Sequence, residues 1–363
     1  MKRALATGLA LIFSLACLCS CSATYFTRND VVFAGLVLDV KLSGGNTQKA
    51  YEEMVSLARE INSAVSLSEP DSVITAFNAA EKGTEISVTG RVYDLVRLAK
   101  EAYNETNGAY NPCLTDVSKA WGVDNEGIKS GGLPQSLPTD EQLEALRPTT
   151  NPNLIAARED SGNYYISKLA DGIKLDLGGI AKGYLDDEFV SIAKKYNVSS
   201  GCISLSGNVV LIGQNKTGSA GRDWGVGVTD PREKNAYVCG FYVPGGVSAV
   251  TSGDYERYYE SDGVRVCHVI DPFTLMPVGT TRESGTLKQT TDYVISATVV
   301  GESSAKCDAL ATAVMVLGLE KGAEMLARHG YNGLIFTADK RLKIVGEFNF
   351  ATSQTRYTEY RRV

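Results

Sequence analysis

Hydrophobic and polar positions recur along this chain with two periods. Apolar residues return every three or four positions from Ala50 to Val65, the spacing of a helix with one buried face. The same spacing runs from Val92 to Tyr103, entered through Ser87-Val88-Thr89 and closed by Asn107-Gly108. It appears again from Tyr184 to Tyr196 and from Ser303 to Leu317. Elsewhere the alternation is every second residue. Tyr164 to Leu177 predicts a hairpin turning at Asp171-Gly172, and a second hairpin is expected across Ser261-Asp262-Gly263. Gly127 to Pro152 breaks both periods and reads as a long surface loop with a short helix near Asp140 to Leu146. Strands cluster without regular strand–helix alternation. The pattern predicts an α+β protein, with mixed sheets and flanking helices forming one compact unit.

The N-terminus has a different pattern. Met1-Lys2-Arg3 is a cationic head, Ala4 to Leu18 is an apolar run, and small residues follow. This is the grammar of an export signal, too short for a comfortable membrane span. Leu18-Cys19-Ser20-Cys21 resembles a bacterial lipobox, which makes Cys21 the expected lipidated residue, with Cys17 and Cys19 as rival sites and an ordinary cleaved signal or an uncleaved anchor as the other readings. Residues 1–20 are thus expected to be a lipoprotein signal peptide and residues 21–30 a lipidated, polar tether.

Composition narrows the chemistry. The 363 residues carry 36 basic and 42 acidic side chains, a net charge of −6 that becomes −8 once Lys2 and Arg3 leave with the signal. A surface built to bind nucleic acid is therefore not expected. Only His268 and His329 are histidines, which excludes multi-histidine zinc chemistry. Of eight cysteines, five remain after the signal and the lipid site: Cys113, Cys202, Cys239, Cys267 and Cys307. They are dispersed, odd in number and contain no CxxC, so buried small hydrophobes are the expectation for most.

Three segments carry candidate chemistry. Ile173 to Leu177 alternates like a half-buried strand and runs into Gly178-Gly179-Ile180-Ala181-Lys182-Gly183, followed by an amphipathic helix. Such an elbow suits phosphate, with backbone amides, a helix N-terminus and the Lys182 charge; a tight turn that needs only small residues fits equally well. In Ser303 to Val314, the serines suit an N-cap and the helix is apolar nearly all round, yet Asp308 and Thr312 share one face. A carboxylate with a hydroxyl suits Mg2+, while a lysine or backbone amides would equally satisfy a buried Asp308, and chemistry alone leans to the latter. Val247 to Tyr255 ends a strand in a hydroxyl- and glycine-rich turn, and the strand after it carries Val264, Val266, His268 and Ile270 on one face. His268 is either a satisfied core histidine or a proton-transfer group beside a phosphate site.

Taken in order, six stretches resemble the ApbE family of FAD:protein FMN transferases. They are Asp71-Ser72…Phe77-Asn78, Thr106-Asn107-Gly108-Ala109-Tyr110-Asn111-Pro112…Trp121-Gly122, Asp176 to Tyr184, Thr251-Ser252-Gly253-Asp254-Tyr255, His268-Val269-Ile270-Asp271-Pro272 and Asp308 to Ala313. The resemblance implies that residues 31–363 form an FMN transferase domain. It implies that FAD is cut at its pyrophosphate, that FMN is joined to a Thr or Ser of an exported acceptor carrying a flavinylation motif, and that Mg2+ is required. Carried over by position, the metal falls to Asp308, Thr312 and the Ala181 carbonyl. FAD falls to Asn78, Gly178, Gly179, Lys182, Thr251, Ser252, Gly253 and His268, with His268 and Asp254 as candidate proton-handling groups. The location implied is the periplasmic side of the inner membrane, anchored by lipid. The chain departs from the family in three places. Ser66-Leu67-Ser68 stands where many relatives have Ser-Thr-Tyr, Leu205-Ser206-Gly207-Asn208 replaces Leu-Gly-Gly-Asp, and Pro272-Phe273-Thr274-Leu275 replaces Pro-x-Thr-Gly. An FAD pyrophosphatase and a non-enzymatic flavin-binding lipoprotein are the alternative functions.

Overall fold

The computed structural model describes residues 24–33, 35–124, 134, 136–217, 221–233 and 235–361. The signal segment and Cys21 lie outside the described residues. A nine-stranded sheet organises the molecule, and its spatial order is its chain order. The strands are β1 (Phe26–Phe33), β2 (Leu36–Ser43), β3 (Ser200–Leu205), β4 (Asn208–Ile212), β5 (Val247–Gly253), β6 (Val294–Gly301), β7 (Asn332–Thr337), β8 (Arg341–Val345) and β9 (Thr358–Arg361). Neighbours pair antiparallel except β8 and β9, which are parallel.

Everything else is inserted between these strands. Residues 44–199, between β2 and β3, contribute helices α1 (Thr47–Val65), α2 (Val73–Ala79), α3 (Gly90–Glu105), α4 (Thr115–Ala120), α5 (Asp140–Leu146) and α6 (Gly178–Lys195). α7 (Ser304–His329) joins β6 to β7. The apolar faces follow from strand period 2. On β7, Ile335 joins the core shared with α1, α6 and α7, whereas Leu334 and Phe336 join a second core on the opposite face. That second face is covered by the three-stranded sheet of Trp224–Thr229, Tyr237–Val243 and Asn349–Thr352. A third apolar cluster links Trp121 and Leu143 to Val266, Leu275 and Leu287 in the insertion between β5 and β6.

The α+β class holds, as do α1, α3, the short helix α5 and the hairpin at Asp262-Gly263, where both turn residues have positive φ. Four expectations change. The first hairpin pairs Ile155–Asp160 with Asn163–Lys168 and turns at Ser161-Gly162, not at Asp171-Gly172. Ile173 to Leu177 keeps its alternating burial but joins no ladder; the Asn78 amide bonds both the N–H and the C=O of Leu175 in place of a neighbouring strand, at 2.7 and 2.9 Å. The helix expected to end at Leu317 continues to His329 across a break at Gly318, whose φ of 78° only glycine adopts readily. The expected tether is shortened by β1, which takes in Phe26 to Asp30. An edge strand with one face in water needs no apolar alternation, and its polar residues hid it. Among the described residues, no helix is long and apolar enough to cross a membrane.

Candidate active site

α6 begins at Gly178, so the glycine pair forms its first turn and is not a loop before it. The Asp176 carboxylate accepts from the Gly178 amide at 2.8 Å, and the Ala181 amide closes onto the Leu177 carbonyl at 2.9 Å. The expected cradle of free amides is therefore narrower, because Asp176 already takes the first of them. A Cβ at Gly179 would stand 3.3 Å from the Tyr110 ring, so the glycine lets that ring lie against the head of the helix. Gly183 serves a closer approach. A Cβ there would stand 2.6 Å from the Ala305 Cα, so α6 and α7 cross with their backbones in contact.

The crossing is fixed from both sides. Asp187 of α6 caps α7, accepting from the Ser303 hydroxyl at 2.9 Å and from the Ser304 and Ala305 amides at 2.7 and 3.1 Å. One turn further along α7, the buried Asp308 carboxylate accepts from Lys182 Nζ at 3.2 Å and from the Gly183 amide at 3.1 Å. A lysine and a backbone amide are the partners that a buried carboxylate needs in the absence of a metal ion. Burial alone would lower the Lys182 ammonium, but the Asp308 charge, with Glu256 and Asp186 behind it, holds Lys182 above its ordinary range. Thr312 Oγ1 donates to the Asp308 carbonyl at 3.3 Å and stands 3.4 Å from Ser252 Oγ. These contacts are long, and the donors are all oxygen. A carboxylate and a hydroxyl on one helix face fit Mg2+, with Lys182 positioned to release Asp308 toward it. Ala181 is wholly buried in α6 and is not among the residues that line the cleft, unlike Asp308 and Thr312.

β5 brings Thr251, Ser252 and Gly253 to the opposite wall of the same cleft. Asp254 turns away. Its carboxylate is a bidentate partner of Arg232, at 2.7 and 2.8 Å, and accepts from the Tyr293 hydroxyl at 2.8 Å. This corrects the expectation that Asp254 handles a proton, since both oxygens of the buried carboxylate are held by the partly exposed Arg232 outside the cleft wall. Asn78 is likewise occupied by Leu175 and does not line the cleft; it shapes the approach to α6.

His268 follows the strand Val264–Cys267 and does line the cleft. Its Nδ1 lies 3.2 Å from the Arg257 carbonyl. A carbonyl only accepts, so Nδ1 carries the proton and Nε2 is left as an acceptor. Burial, reinforced by the Arg257 and Lys182 charges, pushes its pKa down to about 3, so the ring is neutral at pH 7.

The cleft encloses about 490 Å3, the size of a nucleotide-binding pocket. Sequence reasoning missed Glu256 and Arg257 in its wall, although they directly follow the Thr251 to Tyr255 stretch. Burial raises the Glu256 carboxyl. Asn208, at one of the departures, is buried with Oδ1 3.4 Å from Lys182 Nζ, so a neutral amide stands where a carboxylate would have competed for that ammonium. The arrangement can neutralise an anionic ligand and accept a proton beside it. Among the described residues there is no cluster of three histidine, cysteine or acidic ligands for a metal, so a cation here would take other oxygens.

Residues 33–335 match the model of the ApbE family. A protein of Treponema pallidum named FAD:protein FMN transferase is 32% identical over 314 residues, spanning 84% of this chain and 81% of its own length. A Vibrio cholerae protein of the same name is 30% identical over 270 residues, 74% of each chain. The crystal structure of the apbe protein from Thermotoga maritima superposes with a TM-score of 0.73 at 26% identity, covering 90% of this chain and 97% of that one.

Proposed function

The chain belongs to the ApbE family, and on that premise we propose that it is a Mg2+-dependent FAD:protein FMN transferase acting on an exported acceptor. The observation that carries the reading is the convergence of Lys182, Asp308, Thr312 and His268 on one cleft at the head of α6. Asp308, Thr312 and the Ala181 carbonyl would hold Mg2+, which when bound neutralises diphosphate charge. Lys182 and the α6 N-terminus face the FAD diphosphate, where fixed positive charge stabilises the transferring phosphoryl group. The acceptor hydroxyl attacks the FMN phosphorus, the bond to the AMP phosphate breaks, and AMP leaves with the electron pair. His268 Nε2, neutral before substrate binds, receives the hydroxyl proton. Burial is the main reason the free ring is unprotonated; the Arg257 and Lys182 charges add to it, and an anionic substrate offsets that added part, which favours proton uptake by His268.

Cys21 is proposed as the lipid anchor on the periplasmic side of the inner membrane, supported by the cationic head, apolar run and lipobox pattern that precede it. The test is incubation of the protein with FAD and Mg2+, with and without a peptide carrying Asp-x-x-(Ser/Thr)-Gly-Ala-Thr. In-gel flavin fluorescence of the peptide is the expected result. FMN and AMP released at the same rate without peptide would mean a pyrophosphatase, and unchanged FAD in both arms would refute an enzyme. Asp308→Ala is expected to lower turnover at least about a hundredfold and to abolish its Mg2+ dependence. Retained metal-dependent turnover in that variant would refute the metal site.

A further inference from the structure

We propose that the Tyr110 hydroxyl is a substrate-binding group of this cleft, donating a hydrogen bond to a phosphate oxygen of the bound nucleotide. The inference rests on the FAD reading above. Tyr110 is 2% exposed and lines the cleft. Its Oη is buried and has no hydrogen-bond partner among the described residues. A buried hydroxyl without a partner is costly, and a phenylalanine would fill the same volume without that penalty. The oxygen is therefore explained by a partner that arrives with the ligand.

The position of the ring identifies that partner. The Tyr110 ring packs on Gly179, in the first turn of α6, where the helix N-terminus favours an anion. Its backbone is held by the end of α3: the Tyr110 amide donates to Thr106 Oγ1 at 3.0 Å, and that hydroxyl donates to the Ala102 carbonyl at 2.7 Å. The ring is thus anchored before any ligand binds, and the bond costs little ordering. Burial and the nearby Asp308 and Asp176 charges keep the phenol well above its ordinary range, so it is a donor at every working pH. Lys182, on the next turn of α6, faces the same space. A neutral donor packed against the first turn of α6 and a cation on the next turn suit phosphate oxygens, which accept from both.

The test compares wild type and Tyr110→Phe for equilibrium binding of FAD, FMN, AMP and riboflavin in the presence of Mg2+, together with the melting temperature of the ligand-free protein. The expected result is a Kd for FAD weakened about tenfold to a hundredfold. FMN or AMP should weaken in parallel, riboflavin should be unchanged, and the melting temperature should be equal or higher. An unchanged FAD Kd overturns the proposal. So does an equal loss for riboflavin, which would place the contact on the flavin ring, or a lower melting temperature, which would give the hydroxyl a partner inside the protein. A wild-type protein that binds no FAD overturns the FAD reading itself, and the inference with it.

Discussion

At the scale of single residues, the site runs on groups whose neighbours fix their charge. His268 is the sharpest case, because its native pKa of about 3 lies far below that of a free histidine. The sign follows directly. Between pH 6.5 and 3 the unfolded chain binds a proton there that the native ring refuses, so stability is present above pH 6.5 and is lost as pH falls through that window. His268→Gln is expected to flatten this part of the stability–pH curve, by at most about 1.4 kcal/mol per pH unit, in urea melts from pH 4 to 7. Equal slopes in wild type and variant would show that the ring is not held neutral. Leu275 shows how backbone strain is absorbed. It keeps a left-handed φ of 58°, a conformation that glycine adopts more readily, and its side chain is wholly buried beside Trp121, whose Nε1 donates to the Leu275 carbonyl at 2.8 Å. The strain of about 1–2 kcal/mol is offset by burying a leucine. Leu275→Gly is therefore expected to lower stability despite relieving the backbone, measured by thermal unfolding; a higher melting temperature would reverse that ranking.

At the scale of elements, the α6–α7 crossing determines whether Asp308 reaches the cleft. Gly183→Ala would drive a methyl group into the Ser304 and Ala305 backbone, which cannot move as a side chain could. A loss of about 1–3 kcal/mol is expected on thermal unfolding. Turnover should fall further than stability accounts for, since the Gly183 amide is one of the two partners of Asp308. α1, α3, α6 and the first part of α7 were legible in the sequence because their apolar spacing persists over three turns or more, and the Gly178 to Gly183 run was legible as an elbow. α2 and α4, of seven and six residues, are too short to show that spacing and were not read. The first hairpin was not, because Ile173 to Leu177 alternates like a strand while its partner is the side chain of Asn78, almost a hundred residues away. Asp254 was misjudged for a related reason. The Thr251 to Tyr255 stretch fixes which residues end β5, but Arg232, which pairs with its carboxylate, lies in the insertion between β4 and β5, and Tyr293 lies at the far end of the insertion that Asp254 opens. Lys182 and Asp308 were each singled out, yet their pairing across 126 residues left no local mark.

At the scale of the whole molecule, the cleft draws its walls from several insertions that only the nine-stranded sheet holds in register. Ligand and fold are therefore linked. FAD and Mg2+ together at a hundred times the FAD Kd should raise unfolding stability by about 2.7 kcal/mol, read as a shift in melting temperature. Mg2+ alone should do less, and no shift with both would mean that the nucleotide does not bind the native state. The five cysteines give a second whole-molecule readout. Cys113, Cys202, Cys239, Cys267 and Cys307 are all free, all but Cys202 are buried, and burial pushes the Cys113, Cys239 and Cys267 thiols up to about 12. In the native protein the four buried thiols should resist a thiol reagent until the chain unfolds.

A strand order that repeats the chain order also bears on how the molecule is assembled. A chain emerging N-terminus first can add most strands to a growing edge as each arrives, so the pairings from β3 onward close comparatively short loops. The β2–β3 pairing is the exception, since Ser43 meets Ser200 only after the whole of residues 44–199, with the helices α1 to α6, has been made. Closing that loop carries the largest entropic cost in the sheet. Until it closes, β1 and β2 are a two-strand ribbon with an open edge, and the second half of the sheet has no first half to join. The slow step of folding, and the moment of greatest exposure to aggregation, should be the return of the chain to β2.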